Sequence, residues 1–321
     1  MRQKTVWNLI SESLEADIPV MLLYVLESKG SSPGRQGFCM AVSLRNEMAG
    51  SIGGGIMEHK FVELAKEQLK ENSSVLYLRK QIHDKSAAKN QSGMICSGEQ
   101  TILLYKVKPE DLENVQKIIT SLDENKNELL RLSPEGLNFE DIVPDRDYWF
   151  SFKDDKDWVY EEKTGFKNHL FIIGGGHCAL ALSMVMSPMD FHIHLFDDRK
   201  ELNTFLLNEV VQEKRIVDDY SELEQIIPSG KNHYVICMTF GYRTDDIAIR
   251  ALLDKNFKYF GVLGSSAKIK KMFDDYLTEG IPAEKLAKIH SPVGYQIKSQ
   301  TPQEIAISIA AEIIKIKNED L

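Results

Sequence analysis

Glycine bends and one loop thiol are the features of this sequence whose residue types and spacing point to chemistry. The run His169-Leu170-Phe171-Ile172-Ile173-Gly174-Gly175-Gly176-His177-Cys178-Ala179 sets an apolar stretch before Gly-x-Gly-x-x-Ala and a helix-forming segment. In that order Gly174 makes the tight turn, Gly176 lets the backbone approach a pyrophosphate, and Ala179 keeps helix and strand close. The helix start adds free N–H groups and positive potential for a phosphate. About 20 residues on, Phe196-Asp197-Asp198-Arg199 ends the next apolar run, where Asp197 or Asp198 can grip a ribose or similar diol. The alternative is a glycine turn without a ligand. His177, at the mouth of the turn, reads equally as a ligand contact or a helix cap. Gly264-Ser265-Ser266, with Lys268 nearby, repeats the strand-to-helix pattern; its serines either cap the helix or donate to a phosphate. Met238-Thr239-Phe240-Gly241 ends another strand at the same edge, so these loops converge on one crevice.

The N-terminal half has its own bends. Gly50-Ser51-Ile52-Gly53-Gly54-Gly55 leaves a strand and enters a helix bearing Glu58 and His59. Consecutive glycines at Gly53, Gly54 and Gly55 expose backbone N–H groups to an anionic or heteroatom-rich ligand, or serve only as a sterically tight connection. Gly30–Gly37 pairs with this segment, and its Arg35 offers a fork-shaped cation. Glu58, in the first helical turn, is placed to bind ligand N–H groups. Cys96, within Gly93-Met94-Ile95-Cys96-Ser97-Gly98-Glu99, lies in a loop before a strand. Its thiolate suits a soft metal or sulfur transfer, whereas Cys39, Cys178 and Cys237 read as small core hydrophobes.

The elements that must carry these residues form two α/β domains. Residues 1–153 mix helices and strands: helix Thr5–Ala16, strands Val20–Leu26, Phe38–Ser43 and Met48–Ile52, helix Ile56–Glu71, strands Val75–Ile82 and Gln100–Val107, helix Pro109–Leu122, then short strands and turns. Residues 154–168 carry charge and little core, as a linker or edge hairpin does. From 169 to 321 strands alternate with helices, which signals a Rossmann-like, doubly wound parallel sheet. A helix is expected over Thr204–Val211. The last helix opens on a capping box, Thr301-Pro302-Gln303-Glu304, and its apolar residues Ile305–Ile316 suit pairing, including that of a homodimer.

The 321 residues carry a formal net charge of −9, with 43% hydrophobic and 27% charged residues, which is ordinary globular usage. An acidic chain without a Lys/Arg run is a poor partner for nucleic acid or anionic membrane. With no secretory signal pattern at the start and no long apolar span, the expected location is the cytoplasm.

Taken together, Gly30–Gly37, Gly50–Glu58, Gly93–Gly98, Ile173–Ala179, Asp197-Asp198-Arg199, Met238-Thr239 with Asp245, Gly261–Ser265, Ser291-Pro292-Val293-Gly294 and Thr301–Glu312 resemble the XdhC/CoxI family, accessory factors of xanthine dehydrogenase and carbon monoxide dehydrogenase. The resemblance spans nearly the whole chain. It implies a protein that binds molybdenum cofactor (molybdopterin), protects it, supports its sulfuration and delivers it to a molybdenum hydroxylase apo-enzyme, with a cysteine desulfurase as a further partner. In that light the glycine backbones suit the phosphate, Glu58 the pterin N–H groups, and Cys96 the metal or a transferred sulfur. The chain departs from the family pattern at Ser97, where a Gly is usual, at Phe240, where a His is usual, and at Ser266, where a basic residue is usual. The implied role is that of a maturation factor or chaperone rather than an independent catalyst. The alternative is an NAD(P)-dependent oxidoreductase, or NAD(P) or another nucleotide held in the Rossmann domain; no Tyr-x-x-x-Lys is present to support hydride transfer.

Overall fold

The computed structural model describes residues 2–71, 75–82 and 98–319. The chain divides into two compact units, Met1–Gly165 and Phe166–Leu321.

The first unit runs α1 (Arg2–Glu15), β1 (Val20–Gly30), β2 (Cys39–Ser43), β3 (Met48–Gly50), α2 (Gly55–Lys70), β4 (Leu76–Ile82), β5 (Gly98–Lys106), α3 (Leu112–Asp123), β6 (Leu129–Ser133), β7 (Gly136–Glu140), β8 (Tyr148–Asp154) and β9 (Asp157–Lys163). Its main sheet is antiparallel, in the order β3-β2-β1-β5-β4. The unbroken apolar run of β1 follows from burial on both faces, since successive side chains alternate sides. Met21, Leu23 and Val25 pack with Met57, Phe61 and Ala65 of α2. Leu22, Tyr24 and Leu26 pack with Val6, Trp7 and Ile10 of α1, with α3, and with the second sheet. That sheet has the order β7-β6-β9-β8. Of the linker or edge hairpin expected over residues 154–168, the hairpin forms: the segment supplies the turn after the edge strand β8 and then β9, which pairs with both β6 and β8. Its alternation, with Trp158, Tyr160 and Glu162 buried, turns one side of a charged stretch into the core.

The second unit runs β10 (Asn168–Ile173), α4 (His177–Met186), β11 (Phe191–Asp197), α5 (Asn203–Leu206), β12 (Glu213–Ile216), α6 (Leu223–Ile226), β13 (Gly230–Cys237), α7 (Tyr242–Leu252), β14 (Phe257–Val262), α8 (Ser266–Thr278), α9 (Ala283–Leu286) and α10 (Pro302–Lys317). Its five strands are all parallel, ordered β12-β11-β10-β13-β14. Counted within the unit this is 3-2-1-4-5, the Rossmann order, with its reversal between β10 and β13. Leu170, Ile172 and Ile236 face α4 and α10. Phe171, Val235 and Cys237 face α7 and α8. Helices therefore cover both faces, as a parallel sheet requires.

Two expectations need correction, and one strand is unforeseen. The helix foreseen over Thr204–Val211 stops after Leu206, because Asn208 turns inward, 1% exposed, and donates to Ser183 Oγ at 2.9 Å. The polar stretch Glu213–Ile216 carries no strand pattern of its own, yet it is an edge strand recruited by the ladder of β11. The Ile309 and Ile313 side of α10, fully buried, belongs to the core of its own unit, which leaves Ile307, 55% exposed, on the outer side. The capping box itself is present: Thr301 Oγ1 accepts from Glu304 N at 3.2 Å, and Glu304 Oε2 accepts from Thr301 N at 3.1 Å.

Candidate functional site

In the first unit, the three glycine segments are brought into contact by the sheet. A Cβ on Gly34 would lie 2.0 Å from Ile52 O, one on Gly53 2.5 Å from Gly34 N, and one on Gly98 2.7 Å from Ser32 N. Only glycine permits backbones this close. Gln100 Nε2 (2.7 Å) and Ser28 Oγ (2.9 Å) both donate to Gly34 O and hold the loop from beneath. Sequence reasoning misses these two anchors, because nothing local marks a strand polar residue as the support of a distant loop.

Gly53, Gly54 and Gly55 all have positive φ (131°, 75° and 69°), which turns the chain sharply into α2. Gly54 is the N-cap of that helix and supplies no side-chain cap. A Cβ on Gly54 or Gly55 would meet nothing within 4 Å, so their main chain faces open space. Glu58 departs from its expected role. Its Oε2 accepts from Ser51 Oγ (2.6 Å), Ile52 N (2.9 Å) and Gly54 N (3.0 Å). The carboxylate staples the glycine bend because it is the nearest anion to those amides and sits at the positive end of α2. Arg35 is likewise engaged within its own loop, donating from Nη1 to Gly30 O at 3.1 Å, while its side chain stays exposed. Cys96, expected as the soft-metal or sulfur contact, lies outside the described residues, as does Ser97.

In the second unit, Gly174 has φ 102° and makes the tight turn after β10; a Cβ there would lie 2.4 Å from Met238 O. Gly176 is the N-cap of α4 without a side-chain cap, and its surroundings are open. His177 is exposed at the first turn of that helix. Gly241 provides a second such start, at α7 after β13, again with nothing within 4 Å of an added Cβ. The two open starts follow β10 and β13, the strands that flank the reversal, where open α/β sheets take ligands. Phe240, 86% exposed beside them, lies under the Arg199 guanidinium, 5.5 Å from ring centroid to Cζ.

The acidic pair divides its labour. Asp197 is fully buried and accepts from Gly175 N (2.6 Å), Arg199 N (2.9 Å), Arg199 Nε (2.8 Å) and Arg199 Nη2 (2.8 Å). Burial pushes its carboxyl pKa up, but the bonds and charge of Arg199 and the Gly175 amide outweigh that and hold it below 3.8. The expectation that Asp197 grips a diol is therefore corrected: it ties the glycine turn to β11. Asp198 is the partly exposed carboxylate of the pair, with Tyr220 Oη 3.3 Å from its Oδ1. Ser265 accepts from Lys268 N at 3.3 Å and thus caps α8. Lys268 is bound to the fully buried Asp245, which also accepts from Thr239 N (3.0 Å) and Thr239 Oγ1 (2.6 Å). Ser265 thus serves as the helix cap and keeps its own O–H, while Lys268 is engaged by Asp245. Gly264 is half-buried against Ile269 and Lys268 rather than open.

Fold and site define a Rossmann-type α/β protein with a separate mixed α/β unit that carries its own glycine bends. Comparison with known proteins sharpens this. A family profile described as "XdhC Rossmann domain" matches residues 170–313, and one described as "XdhC and CoxI family" matches residues 13–79. The chain belongs to the XdhC/CoxI family. It is 23% identical over 307 residues to the Escherichia coli (strain K12) protein named "Uncharacterized protein YqeB", covering 95% of this chain and 44% of that one. Over 82 residues it is 32% identical to a Bacillus subtilis (strain 168) protein named as a probable subunit of xanthine dehydrogenase, covering 26% of this chain and 23% of that one. The chain thus spans less than half the length of these curated relatives. A crystal structure titled as a xanthine dehydrogenase from Bacillus halodurans shares the fold, with TM-score 0.71 and 20% identity over 98% of this chain and 96% of that one.

Proposed function

We propose that this protein is an accessory factor of a xanthine dehydrogenase-type molybdoenzyme: it binds molybdenum cofactor in the cytoplasm, shields it, supports its sulfuration with sulfur from a cysteine desulfurase, and hands it to the apo-enzyme. The observation that carries the reading is the set of open glycine starts of α2, α4 and α7, whose N-cap glycines supply no side chain, in a chain of this family. Bound cofactor supplies a phosphate, a pterin rich in donors and acceptors, and a dithiolene-held metal for the client's redox chemistry.

The residues present fit such a guest in part. The amides at Gly55, and at Gly176 and His177, are placed for a phosphate, with the helix dipole adding positive potential, whereas that of Gly54 is taken by Glu58. Asp198 retains exposed acceptor atoms suited to ring N–H groups or a diol. Glu58 and Asp197 do not fit as direct contacts; they preorganise the bends by consuming the amides that would otherwise collapse onto other partners. Cys96 is the proposed contact for metal or transferred sulfur. The same Rossmann order and the exposed Asp198 favour a second reading, a nucleotide or NAD(P) in the C-terminal unit.

Reconstitution tests the first reading. Protein from cells that make molybdenum cofactor, mixed with an apo xanthine dehydrogenase, should restore oxidation of xanthine, and titration with NADH or NADPH should give no saturable binding. Tight nicotinamide binding with no restoration would favour the second.

A further inference from the structure

At the N-terminal end of the parallel sheet, opposite the glycine starts of α4 and α7, the register gathers residues that are scattered in sequence. His169 of β10 pairs with His192 of β11 and with His233 of β13, while His194 of β11 pairs with Glu213 of β12. His192 and His194 are two apart on one strand and so share a face. We infer that His192 Nε2, His194 Nδ1 and the Glu213 carboxylate form a binding site for a divalent transition-metal ion of the zinc, cobalt or nickel kind, with its remaining position open to solvent.

The three donor groups lie within 4.8 Å of one another. His192 Nε2 is 3.1 Å from Glu213 Oε1, and His194 Nδ1 is 3.0 Å from Glu213 Oε2. Ligand atoms held tetrahedrally at about 2.0–2.1 Å from zinc are roughly 3.3 Å apart, and each histidine–Glu213 separation lies within a few tenths of an ångström of that spacing. The donors are of the right chemistry, since imidazole with one carboxylate suits zinc and its neighbours.

A second observation points to an absent occupant. His192 is only 8% exposed, and its Nε2 has no hydrogen-bond partner among the described residues, although it points toward Glu213 at hydrogen-bond distance. A buried nitrogen left in this state is unfavourable unless something pairs with it.

The surroundings hold the ligands in place. His194 stacks on Phe171 with centroids 4.4 Å apart and on His192 at 4.5 Å, and Phe166 meets His192 edge-on at 5.5 Å. His169 Nδ1 is 3.1 Å from His194 Nε2, the outer hydrogen bond that fixes the ring and tautomer of a ligating histidine. Burial lowers the pKa of His192 and of His194, against the opposing pull of Glu213, and burial with the neighbouring histidines lowers His169 to about 4. Neutral imidazoles are the form a metal takes up. Glu213, 62% exposed, leaves one side open to water.

Titration of the EDTA-dialysed protein with zinc chloride by calorimetry, and with cobalt(II) by visible absorption, tests this. A Cys96→Ser background removes the loop thiolate as a competing ligand. One equivalent of metal should bind, with the cobalt band of nitrogen–oxygen coordination and a higher melting temperature. Glu213→Ala, which alters an exposed side chain, and His194→Asn should each weaken binding by at least 10–100-fold and abolish the thermal shift, with circular dichroism unchanged. His169→Phe, which keeps a stacking ring, should weaken it about tenfold. No binding to the parent protein, or equal stoichiometry and affinity in the Glu213→Ala and His194→Asn variants, would overturn the site.

Discussion

Gly174 and Gly176 stand two residues apart in one turn, yet the structure assigns them opposite sensitivities. At Gly174 an alanine would have to hold φ near 102°, and its Cβ would lie 2.4 Å from the main-chain oxygen of Met238. The disfavoured backbone costs about 1–2 kcal/mol, and an unyielding backbone contact adds about 1–3 kcal/mol. Gly174→Ala should therefore destabilise the second unit by about 2–5 kcal/mol, which for a domain of this size lowers Tm by roughly 5–15 °C. Gly176 has an ordinary φ of −71° and open space where the Cβ would go. Gly176→Val should change stability by no more than about 1 kcal/mol, the scale of a weakened helix cap. It should nevertheless reduce retention of a phosphate-bearing ligand at least tenfold, because the new side chain stands where the phosphate approaches. Thermal melts by circular dichroism and bound-ligand analysis of the same preparations separate the two effects. The reasoning fails if Gly174→Ala melts with the parent protein, or if Gly176→Val melts as low as Gly174→Ala while its ligand content is unchanged.

Other substitutions follow from the same geometry. Glu58→Ala removes the acceptor of two bend amides and Ser51 Oγ, and should cost about 1–3 kcal/mol in urea denaturation, with loss of any ligand held at Gly55. Lys268→Ala leaves the fully buried Asp245 without its cation and should cost about 3–5 kcal/mol; a loss under 1 kcal/mol would show that the pair contributes little. Because the Asp197 carboxyl is held below its ordinary 3.8, its contribution to stability is complete above that pH and is lost as pH falls through the lower folded value. Denaturation midpoints of Asp197→Asn should accordingly drop less steeply than those of the parent protein below about pH 4, and parallel curves would remove this role.

Much of the architecture could be read from residue patterns. The buried run of β1, the strand–Gly-x-Gly–helix entry at Ile173 and the Thr301 capping box are local signals, and local signals survive folding. The assignments that failed turn either on main-chain amides of the adjoining bends or on strands brought alongside by the fold. Glu58 and Asp197 were expected to face a ligand, but unpaired amides of the adjoining bends lie nearer and claim both carboxylates. The strand Glu213–Ile216 has no apolar alternation of its own and forms because β11 offers an unpaired edge. The histidine cluster is assembled by parallel register from four strands, so no short window contains it. Its one local trace is His192-x-His194, two imidazoles on one strand face.

The central claim is that main-chain amides at open glycine starts hold molybdenum cofactor. The most direct measurement is the molybdenum and pterin content of the protein purified from cells that make the cofactor, beside Gly176→Val and Gly241→Val variants of matched thermal stability. Near-stoichiometric molybdenum and pterin in the parent protein, falling at least tenfold in one or both variants, is the predicted result. A parent protein free of both, or variants that retain the full complement, would contradict it.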